Sequence, residues 1–173
     1  TTYSPEGNLV AGSTEKHVYL WDAKTGHRLH QLDAHEQPAK ALAFNQTGAL
    51  VASIGLEGDG EALRIWDTQT GELLEDTATG LTKSGQIDFV LQDTGLLIHT
   101  VKNIYQYARE GNTFTPLIAP DTSDALARSI RGGNPNYAVS SDGQRAVICY
   151  KPEEGPYQVA LHNLADGSVV AST

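Results

Sequence analysis

Two short phrases recur four times along this chain, and a period of that length decides the fold before any other feature is weighed. The first phrase reads Tyr3-Ser-Pro-Glu-Gly7-Asn-Leu-Val-Ala-Gly-Ser13 and returns as Phe44-Asn-Gln-Thr-Gly48-Ala-Leu-Val-Ala-Ser53. Its third and fourth copies are Leu91-Gln-Asp-Thr-Gly95-Leu-Leu-Ile-His-Thr100 and Ser140-Ser-Asp-Gly143-Gln-Arg-Ala-Val-Ile-Cys149. Aligned on Gly7, Gly48, Gly95 and Gly143, the copies lie 41, 47 and 48 residues apart. The second phrase reads Trp21-Asp-Ala-Lys-Thr-Gly26, Trp66-Asp-Thr-Gln-Thr-Gly71, Gln106-Tyr-Ala-Arg-Glu-Gly111 and His162-Asn-Leu-Ala-Asp-Gly167, at spacings of 45, 40 and 56. Two independent landmarks with one mean period make this a repeat protein.

Each repeat reads as strands joined by tight turns. Val18 and Leu20 alternate with Tyr19 and Trp21, and Leu63 and Ile65 with Arg64 and Trp66, the period of two that a pleated strand needs. The Asp-x-x-Thr-Gly that follows each Trp is hairpin chemistry. The carboxylate accepts from amides two and three residues on, and the glycine takes the positive φ that closes the loop. No stretch sustains a helical period; Asp124-Ala-Leu-Ala-Arg-Ser-Ile130 supports one or two turns, with Asp124 as N-cap.

Composition narrows the function classes. Across 173 residues, 12 Lys plus Arg face 21 Asp plus Glu, a formal charge of −9. With no basic cluster, nucleic acid and anionic membranes are not the expected partners. No apolar run approaches the ~20 residues that span a bilayer, and no leader pattern opens the chain, so a soluble, cytoplasmic protein is expected. The single cysteine, Cys149, makes neither an internal disulfide nor a thiolate cage. Met is absent, and Thr1 reads as a cut end.

With a period in the low-to-middle forties and Leu20-Trp21-Asp22 and Ile65-Trp66-Asp67 in the first two copies, the chain resembles the WD40 (β-transducin) repeat family. The third copy puts Gln106 or Tyr107 at the Trp position and the fourth puts His162 there. The family's His survives as His35, 31 residues before Trp66. This resemblance implies an all-β, WD40-type β-propeller: about four blades of four antiparallel strands, approximately 1–35, 36–80, 81–120 and 121–173. Four blades make an arc, roughly half of a larger ring, whose end blades present apolar faces for something else to cover. The resemblance also makes Trp21, Asp22, Gly26, Trp66, Asp67 and Gly71 structural, and puts His35 and Trp66 in a buried network with Ser53 and Asp59 as further members.

Chemistry-bearing patterns are sparse. Gly55-Leu-Glu57-Gly-Asp59-Gly-Glu61 spaces three carboxylates alternately but lacks the ordered ligands of a calcium loop, so no metal is expected. There is no Gly-x-Ser-x-Gly elbow, no haem-attachment motif and no dinucleotide fingerprint, so neither a catalytic residue nor a cofactor is expected. Cys149, between Val147, Ile148 and Tyr150, reads as a strand residue. The expected function is therefore a non-catalytic scaffold that docks protein or peptide partners on the loops of one face. Its candidate contacts are His35, Glu36, Glu57, Asp59, Lys83, Lys102, Arg128, Arg131 and Glu153, the two arginines lying in the long connection Pro120 to Asn136. Remaining blades of the same propeller, or a second copy, are the other expected partners. The alternative is a regulatory or sensor segment of a larger enzyme, fused to a kinase, protease or nucleotide switch. An axial active site ranks last, because the innermost strands offer only Asp88.

Overall fold

Every strand among the described residues pairs with an immediate sequence neighbour, which is what short turns and alternating hydrophobicity demand. The computed structural model describes residues 1–101, 103–117, 137–150 and 156–173. Lys102, Arg128, Arg131, Glu153 and the short helix expected at Asp124 lie outside the described residues, among which there are strands and no helix.

The strands form four antiparallel sheets of four, each in sequence order. The first holds β1 (Thr2–Tyr3), β2 (Leu9–Thr14), β3 (His17–Asp22) and β4 (Arg28–Asp33). The second holds β5 (Ala41–Phe44), β6 (Leu50–Glu57), β7 (Gly60–Asp67) and β8 (Leu73–Ala78). β9 (Ser84–Val90), β10 (Gly95–Thr100), β11 (Ile104–Ala108) and β12 (Thr113–Pro116) make the third. β13 (Tyr137–Val139), β14 (Arg145–Tyr150), β15 (Gln158–Asn163) and β16 (Val169–Ser172) make the fourth. The chain divides into two compact units, Thr1–Phe89 and Val90–Thr173.

One hydrogen bond repeated in every sheet fixes the register of the repeats. The amides of Ala23, Thr68, Arg109 and Leu164 donate to the carbonyls of Asn8, Ala49, Thr94 and Gln144 at 2.9, 2.9, 3.0 and 2.9 Å. Counting back two residues puts Trp21, Trp66, Tyr107 and His162 in equivalent positions, so Tyr107 rather than Gln106 replaces the third Trp. Tyr107 is buried and stacks on Phe114, ring centroids 4.7 Å apart.

The same ladder corrects the third turn glycine. Gly7, Gly48 and Gly143 donate to Ser4, Asn45 and Ser140, but in the third sheet the donor to Val90 is Asp93. Asp93 has the positive φ, 71°, with Leu91 and Gln92 before it at 53° and 54°. Gly95 is instead the first residue of β10, paired with Ala108. A Cβ there would lie 2.8 Å from the Tyr107 carbonyl oxygen, so Gly95 is required by close approach and not by a turn.

The turns after the third strands work as their sequence implies. Asp22 Oδ1 accepts from the Lys24 and Thr25 amides at 3.0 and 2.7 Å, and Asp67 Oδ1 from the Gln69 and Thr70 amides at 2.8 Å each. These bonds, led by the Thr25 and Thr70 amides, hold both carboxyls below the usual carboxylate range.

Sheets pack by dissimilar faces. In the first unit, Ala11, Val18, Leu20 and Leu32 of the first sheet cluster with Phe44, Val51 and Trp66 of the second. In the second unit, Leu97 and Ile104 of the third sheet cluster with Tyr137, Ala146 and Ile148 of the fourth. Leu20 and Trp21 are adjacent in β3, so the two faces of a sheet are distinct. One carries the position before the Trp site and the other carries the Trp site itself.

Candidate functional site

Antiparallel alternation puts the connection from second to third strand and the connection to the next sheet at one end of each sheet. In the first unit, that end carries Lys16, Glu36, Glu57, Asp59 and Lys83. Between the first two sheets it opens a cleft of about 340 Å³ lined by Lys16, His17, Asp33, Ala34, His35, Glu36, Glu57, Arg64, Leu73 and Asp76.

His35 forms the floor. Its ring is 3% exposed, and Nε2 lies 2.6 Å from Ser53 Oγ. The connection after β4 brings it there by pairing the Glu36 amide with the Leu56 carbonyl at 3.1 Å. The ring fits because residue 55 is glycine: a Cβ there would stand 2.6 Å from His35 Cγ and Cδ2. Burial lowers the imidazole pKa to about 4, with the Arg64 guanidinium adding to the effect against Glu57 and Asp76, so the ring is neutral near pH 7. Ser53 thus joins His35 as expected, whereas Asp59 does not: it sits exposed at the tip of the β6–β7 hairpin, and His35 Nδ1 has no hydrogen-bond partner among the described residues. Trp66 is buried further along the same sheet face, packed with Leu32, Phe44 and Val51.

Charge surrounds this floor. Arg64 reaches Glu57 Oε2 at 3.3 Å and Asp76 Oδ2 at 3.1 Å, tying three strands together. Glu36 Oε2 accepts the Gly58 amide at 3.2 Å, which fixes the hairpin tip against the inter-sheet loop. His17 Nδ1 lies 3.0 Å from Asp33 Oδ1, and the Asp33 side chain is 94% exposed. The wall therefore holds four carboxylates against two permanent cations, Lys16 and Arg64.

Glu61, 2% exposed, is legible in the sequence only as the last carboxylate of the Gly55–Glu61 loop, and the structure gives it a buried, bonded position. It takes the Lys40 ammonium and accepts the Ser84 amide on both oxygens at 3.2 Å. Burial pushes its pKa up, but the Lys40 and Ser84 hydrogen bonds outweigh it, so the net shift is downward. Its signal was a lone carboxylate leading the apolar run Ala62-Leu63, which calls for partners. Lys83 is exposed at a left-handed φ of 60° in the loop just before Ser84.

The second repeat matches the family model described as WD domain, G-beta repeat, over residues 26–67. Over this stretch the chain is similar to a WD40 repeat. The matched stretch runs from the β3–β4 turn of the first sheet to Asp67, and so contains His35, Ser53, Gly55, Arg64 and Trp66 together. The chain is similar to the Periodic tryptophan protein 2 homolog of Schizosaccharomyces pombe, 38% identical over 65 residues, which is 36% of this chain and 7% of that protein. It is also similar to the Eukaryotic translation initiation factor 2A of the same yeast, 27% identical over 161 residues, 88% of this chain and 26% of that protein. Among solved structures, it overlays the β-propeller domain of Cps50 (Swd1) from Myceliophteria thermophila with a TM-score of 0.70 at 11% identity, covering 99% of this chain and 53% of that one. The four sheets are thus propeller blades in fold. The chain spans a small part of the curated relatives and about half of the solved propeller.

Proposed function

We propose that this chain is a non-catalytic docking platform and that the cleft between its first two blades receives a basic segment of a protein partner. The observation that carries the reading is the acidic rim of that cleft, with Asp33, Glu36 and Glu57 exposed around a neutral, buried His35. A rigid sheet pair supports the rim, and the Arg64 and Glu36 bonds hold it in one shape, so little ordering entropy is lost on binding. His35 acts as the floor and not as a contact, while Glu36, Glu57 and Asp59 supply charge for steering and register. Lys83, in the loop leading to β9, belongs to the same end of the sheets. The acidic net charge of the chain favours the same class of partner.

The chain spans 7% and 26% of two longer relatives, which supports a second role for the same surface, as one segment of a longer protein. In that setting the cleft is still a docking site.

The test is calorimetric titration with an Arg-rich peptide and with its Glu-substituted counterpart. Binding of the Arg-rich peptide alone, weakened by salt and at least about tenfold by Asp33→Asn with Glu36→Gln, is the expected result. Equal binding of both peptides, or no effect of the double substitution, refutes it.

A further inference from the structure

We infer that the cleft between the first two blades holds an arginine side chain of the docked segment in preference to a lysine, with Glu57, Asp76 and Glu36 as acceptors and the His35 ring as its floor. The inference rests on the docking reading above and adds the residue that is recognised.

Register puts these groups on one surface. Ser53, Arg64 and Asp76 are paired across β6, β7 and β8 in the row next to Val51 and Trp66, and so share the face of the second blade that packs on the first. On that face Arg64 shows what the carboxylates are spaced for. Its Nη1 reaches Glu57 Oε2 at 3.3 Å and its Nη2 reaches Asp76 Oδ2 at 3.1 Å, so two carboxylates from different strands stand at the span of one guanidinium fork. Each uses one oxygen in this way. Among the described residues Glu57 Oε1 and Asp76 Oδ1 accept no hydrogen bond, and Glu36 gives only Oε2 to the Gly58 amide. The Glu57 and Asp76 side chains are 42% and 46% exposed against 14% for Arg64, so the acceptors are open while the resident cation is not. Lys16 and Arg64 face Asp33, Glu36, Glu57 and Asp76 around the cleft, two cations against four carboxylates, which leaves charge for a further guanidinium.

The floor is an observation independent of the acidic rim. His35 is 3% exposed, and its Nδ1 is a buried polar atom with no hydrogen-bond partner among the described residues. Nε2 is taken by Ser53, and Cβ, Cγ and Cδ2 lie against Gly55, which turns the Nδ1 edge away from β6 and toward the cleft that His35 lines. A buried polar atom left unpaired is unfavourable, and a neutral imidazole with its proton on Nε2 presents Nδ1 as an acceptor to an entering N–H. Ala34 and Leu73 add apolar wall.

These features select arginine. A guanidinium is planar, carries five N–H donors in a fixed fork and is weakly hydrated, so it can meet acceptors on separate elements at once and loses little on entering a partly apolar cleft. A lysine ammonium is compact and strongly hydrated, and gives up more water for fewer fixed bonds. The cleft volume of about 340 Å³ is near the lower bound of ligand sites and suits one long side chain rather than a folded element.

The test is calorimetric titration of the 173-residue chain with two peptides of equal length and charge, one carrying arginines and the other lysines at the same places. The arginine peptide should bind at least about tenfold tighter, and the ratio should persist in about 0.5 M salt, where steering is screened and fork geometry is not. Glu57→Gln should bring the ratio to within about twofold, whereas Asp33→Asn, which lowers only the rim charge, should weaken both peptides alike. Glu36→Gln, at an exposed position, serves in place of Glu57→Gln if the latter alters the circular dichroism spectrum. Equal binding of the two peptides, or a ratio that survives the carboxylate substitution, overturns the inference and leaves the docking reading standing. Binding of neither peptide refutes the docking reading and this inference with it.

Discussion

Ser53 and His35, eighteen residues apart, share a 2.6 Å hydrogen bond that joins the loop leaving the first blade to the second strand of the next. The bond exists because Gly55 leaves the volume that the imidazole fills. It anchors the cleft wall from below, and several consequences can be measured.

Gly55→Ala should destabilise the chain by about 1–3 kcal/mol, since the new methyl must displace a ring packed on backbone. The penalty should shrink in a His35→Ala background, where that ring is gone. Urea denaturation of the two single variants and the double variant closes the cycle; additive losses would show that residue 55 does not sense the ring.

Stability should fall on acidification through the His35 window. The folded ring has a pKa of about 4 against an ordinary 6.5, so the unfolded chain takes up a proton that the folded chain refuses. The stabilisation is therefore complete above pH 6.5 and lost as pH drops toward 4, up to about 3 kcal/mol. His99 and His162, whose pKa values burial also lowers, add in the same direction. Urea midpoints between about pH 7.5 and about pH 4.5 should show the slope, and His35→Gln should reduce it.

Two tryptophans in the same register should differ in cost. Trp66→Ala leaves a cavity between two blades and should cost about 3–5 kcal/mol. Trp21→Ala removes a partly exposed ring and should cost less than half of that. Equal losses would mean that the first blade's outer face is covered within the single chain.

The turn of the third repeat stores strain that glycine relieves. Gln92 is exposed at a φ of 54°, between two other residues that are also left-handed. Gln92→Gly should raise stability by up to about 1 kcal/mol, the left-handed penalty less the extra freedom of the unfolded chain. A thermal melt that moves down instead would show that the side chain makes a contact worth more than the strain.

What the sequence determined by itself is everything that acts within about a dozen residues. The period of the repeats, the antiparallel strands, the Asp22 and Asp67 turns and the buried role of Trp66 follow from alternation and turn chemistry. Only the tertiary structure decided which residues meet across loops. It put Asp93 in place of Gly95 at the third turn, because the ladder from Thr94 to Arg109 sets the register whatever residue the turn holds. It left Asp59 outside the His35 network, because the β6–β7 hairpin carries that carboxylate out to its exposed tip. It also separated Trp21 from Trp66, which have one motif and two environments. A motif encodes which face of a strand a side chain takes, whereas the neighbouring sheet alone determines whether that face is dry.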